Sequence, residues 1–400
     1  MVSSQASYKK STPKANLGEG GNAMALSYAE DARLNYDPEK PQPRFLKKTA
    51  APDVAAAETL PRAIPWPANL APKPAPLAKQ PAPTEDLSKF KGYDAVVITY
   101  TSAEAATLAS LFTPGHPVST WYEYKHNVQQ YESIVTGGDA PFNAPGQEFA
   151  RYFHSLGLYF PCTIGNRKVL LLKSGLHLDY DTKHNAASPP TEIPLNKMVT
   201  ELVQTVKPKI LITTGTGGGI GADVKLGDIV IAAKTQFDCT TQFVNESWAK
   251  ASYKTSALPA GALQLMTPAL FAVNAAKVAA ATPIPGRAQP KIWSGASATI
   301  VTTDLFAFDT SSNTPFKIQG LGQTCDMGDA MVGQVMQQFP HINWYAIRNA
   351  SDPQIPAGQI PTPSGPAYKA ADKEAGDIYT EYGPFTTAAS VIATWAIIAS

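Results

Sequence analysis

The chain has 400 residues, of which 44% are hydrophobic and 16% are charged, and its formal net charge is +1. A near-neutral chain without a basic stripe lacks the attraction that phosphate backbones require, so nucleic-acid binding is excluded as its function. The three cysteines, Cys162, Cys239 and Cys325, are widely spaced, which argues against a disulfide framework or a zinc cluster and favours a reducing compartment.

The first 90 residues differ in composition from the rest of the chain. Alanine and proline dominate residues 50–83, which offer few apolar groups to offset the entropy of ordering. We therefore expect residues 1–90 to form an extended or disordered arm and residues 91–400 to form the globular domain. The arm is interpreted as a linker or tail, or as a segment that wraps around a subunit. Its candidate anchors are Phe45, Leu60 and Trp66.

The two ends of the chain bear on its location. Residues 1–5 lack the apolar core of a signal peptide, and the apolar stretch at 388–400 is too short to span a bilayer. We therefore expect a cytoplasmic protein without a membrane partner.

The pattern of the globular domain begins with an apolar strand at 93–100 and a capped helix at 101–112. A second helix, at 194–206, leads into the most informative stretch. There an apolar run from Ile210 stops in a threonine-flanked glycine loop, where the backbone can pass close to a small ligand. Further helices are predicted at 268–281, 329–339 and from 370 to the C-terminus, the last one interrupted near Gly383 and Pro384.

The glycines at 217–222 formally match G-x-G-x-x-A, the dinucleotide-binding pattern. That pattern requires a helix to begin at once, so that its N-terminus can hold a pyrophosphate. Here a turn at 225–228 leads into another strand at 229–233 instead, which predicts a different architecture. Apolar runs alternate with helical segments along the domain, a pattern typical of an α/β fold with a covered, parallel or mixed sheet.

Six segments carry a family resemblance when they are taken in chain order. The central one reads Thr-Gly-Thr-Gly-Gly-Gly at 214–219, followed by Leu-Gly-Asp-Ile-Val-Ile at 226–231. Together the segments resemble the purine nucleoside phosphorylase and nucleosidase superfamily, most closely the methylthioadenosine/S-adenosylhomocysteine nucleosidases. The resemblance implies a three-layer α/β fold, with a central mixed β-sheet flanked by helices, and a catalytic domain at 91–400. The other five segments are 93–104, 169–175, 300–306, 325–330 and 346–352.

Cleavage of a glycosidic carbon–nitrogen bond separates a ribosyl cation from an electron-rich base. It needs an acid on the base side and a nucleophile on the sugar side. The resemblance assigns Asp352 to protonating, or hydrogen-bonding, the departing purine, and Arg348 could orient it. The structural alternative is that Ser351 and Asp352, before Pro353, form a helix N-cap.

Glu104 matches the acidic residue that activates the attacking water in this family. The alternative is an ordinary solvated glutamate in the first turn of a helix, where the helix dipole favours negative charge. Phosphorylases need cationic or amide donors for phosphate, and no Gly-Arg-Arg loop follows the first strand. Hydrolysis is therefore favoured over phosphorolysis.

The resemblance also implies residues that bind the substrate. Thr216 and Gly217 would line the sugar side, Phe306 would stack against the base, and Met327 would lie beneath the ribose. Family members carry a glutamate directly after that methionine to bind both ribose hydroxyls, whereas this chain has Gly328 there. Two neighbouring carboxylates, those of Asp326 and Asp329, are candidates to replace it.

The sequence therefore predicts hydrolytic cleavage of the N-glycosidic bond of a purine-type nucleoside. One alternative is a phosphate-dependent nucleoside phosphorylase, and another is a degenerate nucleoside-binding or sensor protein. We expect a small-molecule nucleoside as the ligand and a homo-oligomer as the assembly. We expect no metal or organic cofactor, because the Asp, His and Cys residues show no ligand spacing.

Overall fold

A computed structural model describes residues 64–135, 155–176, 193–241, 243–312, 316–360 and 364–400. The helices in these ranges are α1 (Ser102–Phe112), α2 (Val128–Val135), α3 (Pro194–Val206), α4 (Ala262–Leu265), α5 (Pro268–Ala279), α6 (Asp329–Met336) and α7 (Gly365–Ala399). The strands are β1 (Pro72–Pro74), β2 (Ala95–Thr99), β3 (Tyr122–Tyr124), β4 (Gly157–Ile164), β5 (Arg167–Ser174), β6 (Ile210–Gly219), β7 (Ile229–Ile231), β8 (Lys234–Phe237), β9 (Ser252–Lys254), β10 (Ile292–Trp293), β11 (Thr299–Thr302), β12 (Thr324–Asp326) and β13 (Asn343–Asp352).

The described strands form one mixed sheet around β6. Its main path runs β1-β4-β5-β2-β6-β12-β11-β8-β9, while β13 pairs with β6 and β7. Strands β2 and β13 run parallel to β6, whereas β12 runs antiparallel to it. Helix α7 packs against β6 and β13, and α3 packs against α6. The predicted α/β fold with a central mixed sheet and flanking helices is confirmed.

Local signals explain where the first helix begins. The Thr101 side chain accepts a hydrogen bond from the Glu104 amide, and the Glu104 side chain accepts one from the Thr101 amide, which together form a capping box. The strand before this helix, β2, is buried at all five positions. The predicted helices at 194–206 and 268–281 correspond to α3 and α5, and the one at 329–339 corresponds to α6.

The predicted interruption of the last helix is wrong. Helix α7 runs through Pro384 without a break, although proline removes an amide donor and normally kinks or ends a helix. Pro384 is buried in a helix that packs against α1 and β13. In addition, the Thr107 hydroxyl of α1 donates to the Pro384 carbonyl at 2.9 Å.

Helix α7 is also long and apolar enough to cross a membrane when only length and composition are considered. However, 89% of its most apolar 18-residue window is buried inside the protein. This is the burial expected of a core helix, and the Trp395 side chain near its end is fully buried.

The glycine segment is a strand, and the predicted glycine loop is therefore a second correction. Strand β6 continues through Gly219, because β13 stays paired with it from Ile210 to Gly218. The absence of a helix after these glycines was predicted correctly, since the next element along the chain is β7.

The described part of the N-terminal arm, from residue 64 onward, packs on the domain. Strand β1 pairs antiparallel with β4, and the Trp66 ring lies 4.8 Å from that of Trp395. The Trp395 indole also donates to the Leu70 carbonyl at 2.8 Å. Trp66 is thus an anchor, while Phe45 and Leu60 lie outside the described residues. The division of the chain at residue 90 stays a prediction.

Candidate active site

The candidate site lies where β6 loses one neighbour and gains another. Strand β2 is paired with β6 up to Thr213, and β12 is paired with it from Gly218 onward. Residues 214–217 therefore lie at a gap between two strands on one edge of β6. Because α1 begins directly after β2, its first turn carries Glu104 into this gap.

Five hydrogen bonds hold the buried Glu104 carboxylate in the gap. Oε2 accepts from the Thr99 hydroxyl at 2.8 Å and from the amides of the next two residues at 2.7 and 2.9 Å. Oε1 accepts from the Thr216 amide at 2.6 Å and from its hydroxyl at 2.8 Å. Glu104 is therefore a fully buried residue that joins α1 to β6, and the interpretation of a solvated first-turn glutamate is wrong.

The glycines of β6 make these close contacts possible. A Cβ at Gly215 would lie 2.1 Å from Glu104 Oε1, and one at Gly217 would lie 2.7 Å from the Cys325 carbonyl oxygen. A Cβ at Gly218 would lie 2.9 Å from the Cys325 sulfur and 3.2 Å from Asp352 Oδ2. These three positions therefore admit no larger residue without displacing a neighbour.

The Arg348 guanidinium is the centre of a buried network of charges. It pairs with Asp329 through two hydrogen bonds, at 2.7 and 2.8 Å, and contacts Asp326 at 3.0 Å. It also donates to the Thr216 carbonyl at 3.1 Å and lies 3.5 Å from Glu104 Oε1. The described hydrogen bonds of Arg348 go to this network, and its predicted role in orienting Asp352 stays a prediction.

Asp326 caps α6 from the end of β12. Its Oδ2 accepts from the amides of Gly328 and Asp329, and its Oδ1 accepts from the Thr302 hydroxyl at 2.6 Å. Burial and the nearby Asp329 carboxylate raise the pKa of Asp326 to about 7, against the opposing effect of Arg348. The same carboxylates raise the pKa of Arg348, which stays protonated.

Asp352 lies on β13, four residues after Arg348. It is the last residue of β13, and no helix begins there, so the interpretation as a helix N-cap is wrong. A register shift between Ala350 and Asp352 places Asp352 opposite Gly218. The Ser351 hydroxyl donates to Asp352 Oδ1 at 3.0 Å.

Two further predicted residues lie close to this end of the site. Phe306 is partly buried, and its ring lies 6.2 Å from that of Phe308 at an angle of 42°. The carbonyl of the next residue, Ala307, lies 3.4 Å from the Cβ position of Gly218, which places this segment beside Asp352. Met327 is buried between Asp326 and Gly328.

Sequence reasoning missed two residues. The Tyr100 ring lies 5.3 Å from the Arg348 guanidinium carbon, and a Cβ at Gly328 would lie 3.2 Å from its Cζ. Lys173 is buried at the end of β5, paired in register with Thr99, whose hydroxyl binds Glu104. The one sequence signal for these two residues is that each lies at the end of a predicted strand, where ligand sites of α/β proteins occur.

Within the described ranges, no group of three or more His, Cys, Asp or Glu side chains could hold a metal ion. The three carboxylates that do converge are those of Glu104, Asp326 and Asp329, and they meet around the Arg348 guanidinium. A positive charge is therefore already supplied by the protein itself.

The mixed sheet defines an α/β protein, and the buried carboxylates mark a candidate site at the glycine-rich end of its central strand. Residues 119–375 match the model of the phosphorylase superfamily, and the chain belongs to that superfamily. It is thus an enzyme of the nucleosidase and phosphorylase kind, which cleaves nucleoside glycosidic bonds.

The chain is similar to several solved structures. One is the 5'-methylthioadenosine/S-adenosylhomocysteine nucleosidase of Neisseria meningitidis, which is 15% identical in sequence. The alignment covers 76% of this chain and 99% of that chain, with a TM-score of 0.42. The futalosine hydrolase of Helicobacter pylori is 14% identical, and the alignment covers 76% of this chain and 97% of that chain with a TM-score of 0.43. The 5'-methylthioadenosine nucleosidase of Arabidopsis thaliana is 16% identical, and the alignment covers 77% of this chain and 96% of that chain with a TM-score of 0.43. No curated protein matches the chain.

Proposed function

We propose that the protein hydrolyses the N-glycosidic bond of a purine-type nucleoside. The observation that carries the proposal is the placement of two buried carboxylates along β6. Glu104 is bound by the Thr216 hydroxyl, and Asp352 lies beside the Cβ position of Gly218. Both carboxylates therefore lie against the glycine-rich end of β6.

Two carboxylates at one end of a strand suit a direct attack by water on the sugar, because one can protonate the departing base while the other accepts a proton from the water. In the proposed reaction, Asp352 donates a proton to the base as the carbon–nitrogen bond breaks, and Glu104 accepts a proton from the water whose oxygen bonds to the sugar carbon. The products are the free base and the free sugar.

The contacts of Glu104 indicate where the water would bind. Both oxygens already accept hydrogen bonds, of which those from backbone amides are fixed by α1 and β6. The Thr216 hydroxyl can rotate away from Oε1, which frees a lone pair, and it can then accept a hydrogen bond from the same water. We therefore assign Thr216 to positioning the water and Glu104 to removing its proton.

Phosphorolysis is the second candidate, and it needs a positively charged group to bind phosphate. Arg348 is a poor phosphate ligand, because its carboxylate partners neutralise it. Lys173, however, is a buried lysine at the end of β5, in register with Thr99, whose hydroxyl binds Glu104. If phosphate is the nucleophile, Lys173→Met should raise the KM for phosphate, because the charge that would bind it is lost.

We also propose that the enzyme acts in the cytoplasm as a homo-oligomer, with residues 91–400 as its catalytic domain. Support for a reducing location comes from the three buried cysteines, which are free thiols. Size-exclusion chromatography with light scattering tests the assembly, and a single mass of one chain would contradict it.

Product analysis tests the function. The protein is incubated with adenosine, guanosine, inosine and their 2′-deoxy forms, with and without phosphate, and the base and sugar products are separated by chromatography. Hydrolysis predicts free sugar at a rate independent of phosphate. A sugar phosphate whose formation follows the phosphate concentration identifies a phosphorylase. Binding of a nucleoside without any product identifies a binding protein.

A further inference from the structure

Arg348 divides its positive charge unequally among three buried carboxylates. The two short contacts, at 2.7 and 2.8 Å, join it to Asp329, and the contact with Asp326 is 3.0 Å. The contact with Glu104 is the longest, at 3.5 Å. Coulomb attraction rises as charges approach, so Arg348 is held most strongly by Asp329, which takes no part in the proposed proton transfers.

The partners of the two aspartates differ in a way that separates their roles. Asp326 uses both oxygens to bind other groups, namely the amides at the start of α6 and the Thr302 hydroxyl. The hydrogen bonds of the Asp329 carboxylate in the described structure, by contrast, all come from Arg348. The Asp329 side chain is therefore devoted to fixing the guanidinium.

The charged and titratable groups around Glu104 come from every element that borders it. Arg348 extends from β13, Asp326 from β12, Asp329 from α6 and Tyr100 from the end of β2. Lys173 lies on β5, in register with Thr99, whose hydroxyl binds Glu104. Tyr100 stays neutral, because burial raises its pKa well above the usual value and the Asp329 carboxylate adds to the effect. Among these groups, Arg348 forms the ion pair with Glu104, so its position changes the positive charge in direct contact with the carboxylate.

We propose that Asp329 is a positioning residue that holds Arg348 away from Glu104 and so keeps the Glu104 carboxylate available to accept a proton from water. This inference rests on the proposed function, in which Glu104 is the base. The Arg348 donor that lies 3.5 Å from Oε1 needs only a small rotation to form a short ion pair with it. The bidentate contact with Asp329 opposes that rotation, since two parallel hydrogen bonds fix the plane of a guanidinium.

The consequence for a variant follows from charge and geometry. Asp329→Asn keeps the shape of the side chain but removes the negative charge and one of the two acceptor oxygens. Arg348 should then turn toward Glu104, whose carboxylate becomes a weaker base. We expect kcat to fall by about 10- to 100-fold and the acidic limb of the pH dependence of kcat/KM to move to lower pH.

The experiment compares Asp329→Asn with Asp329→Glu, which retains the charge and is expected to restore part of the rate. Asp304→Asn is the matched control, because Asp304 is an equally buried carboxylate that binds the amides of Thr240, Thr241 and Phe243. The readouts are the pH profile with the best substrate of the nucleoside panel, thermal unfolding, and a crystal structure of Asp329→Asn.

The proposal is supported by a crystal structure of Asp329→Asn in which the Arg348–Glu104 contact has shortened from 3.5 Å to about 2.7–2.9 Å, together with the shifted profile and rescue by glutamate. An unchanged separation, or a profile like that of the Asp304→Asn control, overturns it. If the wild-type protein cleaves no nucleoside, the proposed function fails, and the separation between Arg348 and Glu104 in the variant still decides whether Asp329 holds the guanidinium.

Discussion

The close approach of Gly215 to Glu104 allows a sharp test of the candidate site. A Cβ at position 215 would lie 2.1 Å from Glu104 Oε1, 2.3 Å from Cδ and 2.7 Å from Oε2. The carboxylate cannot move aside freely, because five hydrogen bonds hold it. Gly215→Ala must therefore expel Glu104 from the gap or distort β6.

The expected magnitude follows from the interactions that would be lost. Overpacking a core costs about 1–3 kcal/mol, loss of an N-terminal cap costs about 0.5–2 kcal/mol, and buried donors left without acceptors add about 1–3 kcal/mol. Since the carboxylate takes part in all three, we expect Gly215→Ala to lower the free energy of unfolding by about 3–5 kcal/mol. Activity should fall by at least about 100-fold, because the proposed base is displaced.

Chemical denaturation of a double-mutant cycle measures the coupling. Gly358→Ala is the matched control, because no heavy atom lies within 4 Å of the Cβ position of Gly358 and its φ is not positive. In a Glu104→Ala background, Gly215→Ala should cost less than about 1 kcal/mol, since the atoms it would meet are gone. Equal costs of Gly215→Ala in the two backgrounds would refute the reasoning.

Three further predictions concern other residues of the site. Asp352→Asn keeps the shape of the side chain but not its proton, so kcat should fall by about 100-fold or more with little change in unfolding, and wild-type turnover would contradict the role of Asp352 as acid. Burial raises the pKa of Asp326 from about 3.9 in an unfolded chain to about 7, so the folded protein binds this proton more tightly than the unfolded chain does. The stabilisation that protonated Asp326 contributes is therefore fully present below pH 4 and is lost as the pH rises to about 7. Thermal unfolding between pH 4 and pH 8 should therefore depend less on pH in Asp326→Asn, whereas the exposed control Asp377→Asn should keep the wild-type dependence. Gly328→Glu should destabilise the protein by about 1–3 kcal/mol, because its Cβ would lie 3.2 Å from the Tyr100 ring, and Tyr100→Ala should relieve that cost. In the double variant, the ratio of kcat/KM for adenosine to kcat/KM for 2′-deoxyadenosine should rise. An unchanged ratio would mean that no carboxylate at position 328 reaches the sugar.

The elements predicted correctly are those whose signals are local in the sequence. Thr101 and Glu104 are three residues apart and form the capping box that begins α1. Helix α3 has the predicted bounds, because Pro194 begins it and Lys207, in the left-handed conformation, ends it before Pro208. Such signals need no knowledge of the tertiary structure.

The errors arise where distant parts of the chain decide the local structure. The glycines of β6 continue the strand because β13, more than a hundred residues later in the chain, pairs with them. Pro384 lies within a helix that packs against α1 and β13, and the Thr107 hydroxyl of α1 binds its carbonyl. The partners of Arg348 could not be predicted either, because the spacing of Asp326, Asp329 and Asp352 permits each of them to approach the same guanidinium.

The structure gives Glu104 two roles that a single substitution cannot separate. It completes the capping box of α1 and fills the gap on the edge of β6, and it is also the proposed base. Glu104→Ala would therefore abolish activity even in a protein where Glu104 served only the fold. Glu104→Gln distinguishes the roles better, because the amide oxygen can still accept some of these hydrogen bonds while basicity is lost. An inactive Glu104→Gln variant that retains nucleoside binding and near-native stability would assign the loss to chemistry, whereas a variant as unstable as Gly215→Ala would assign it to the fold.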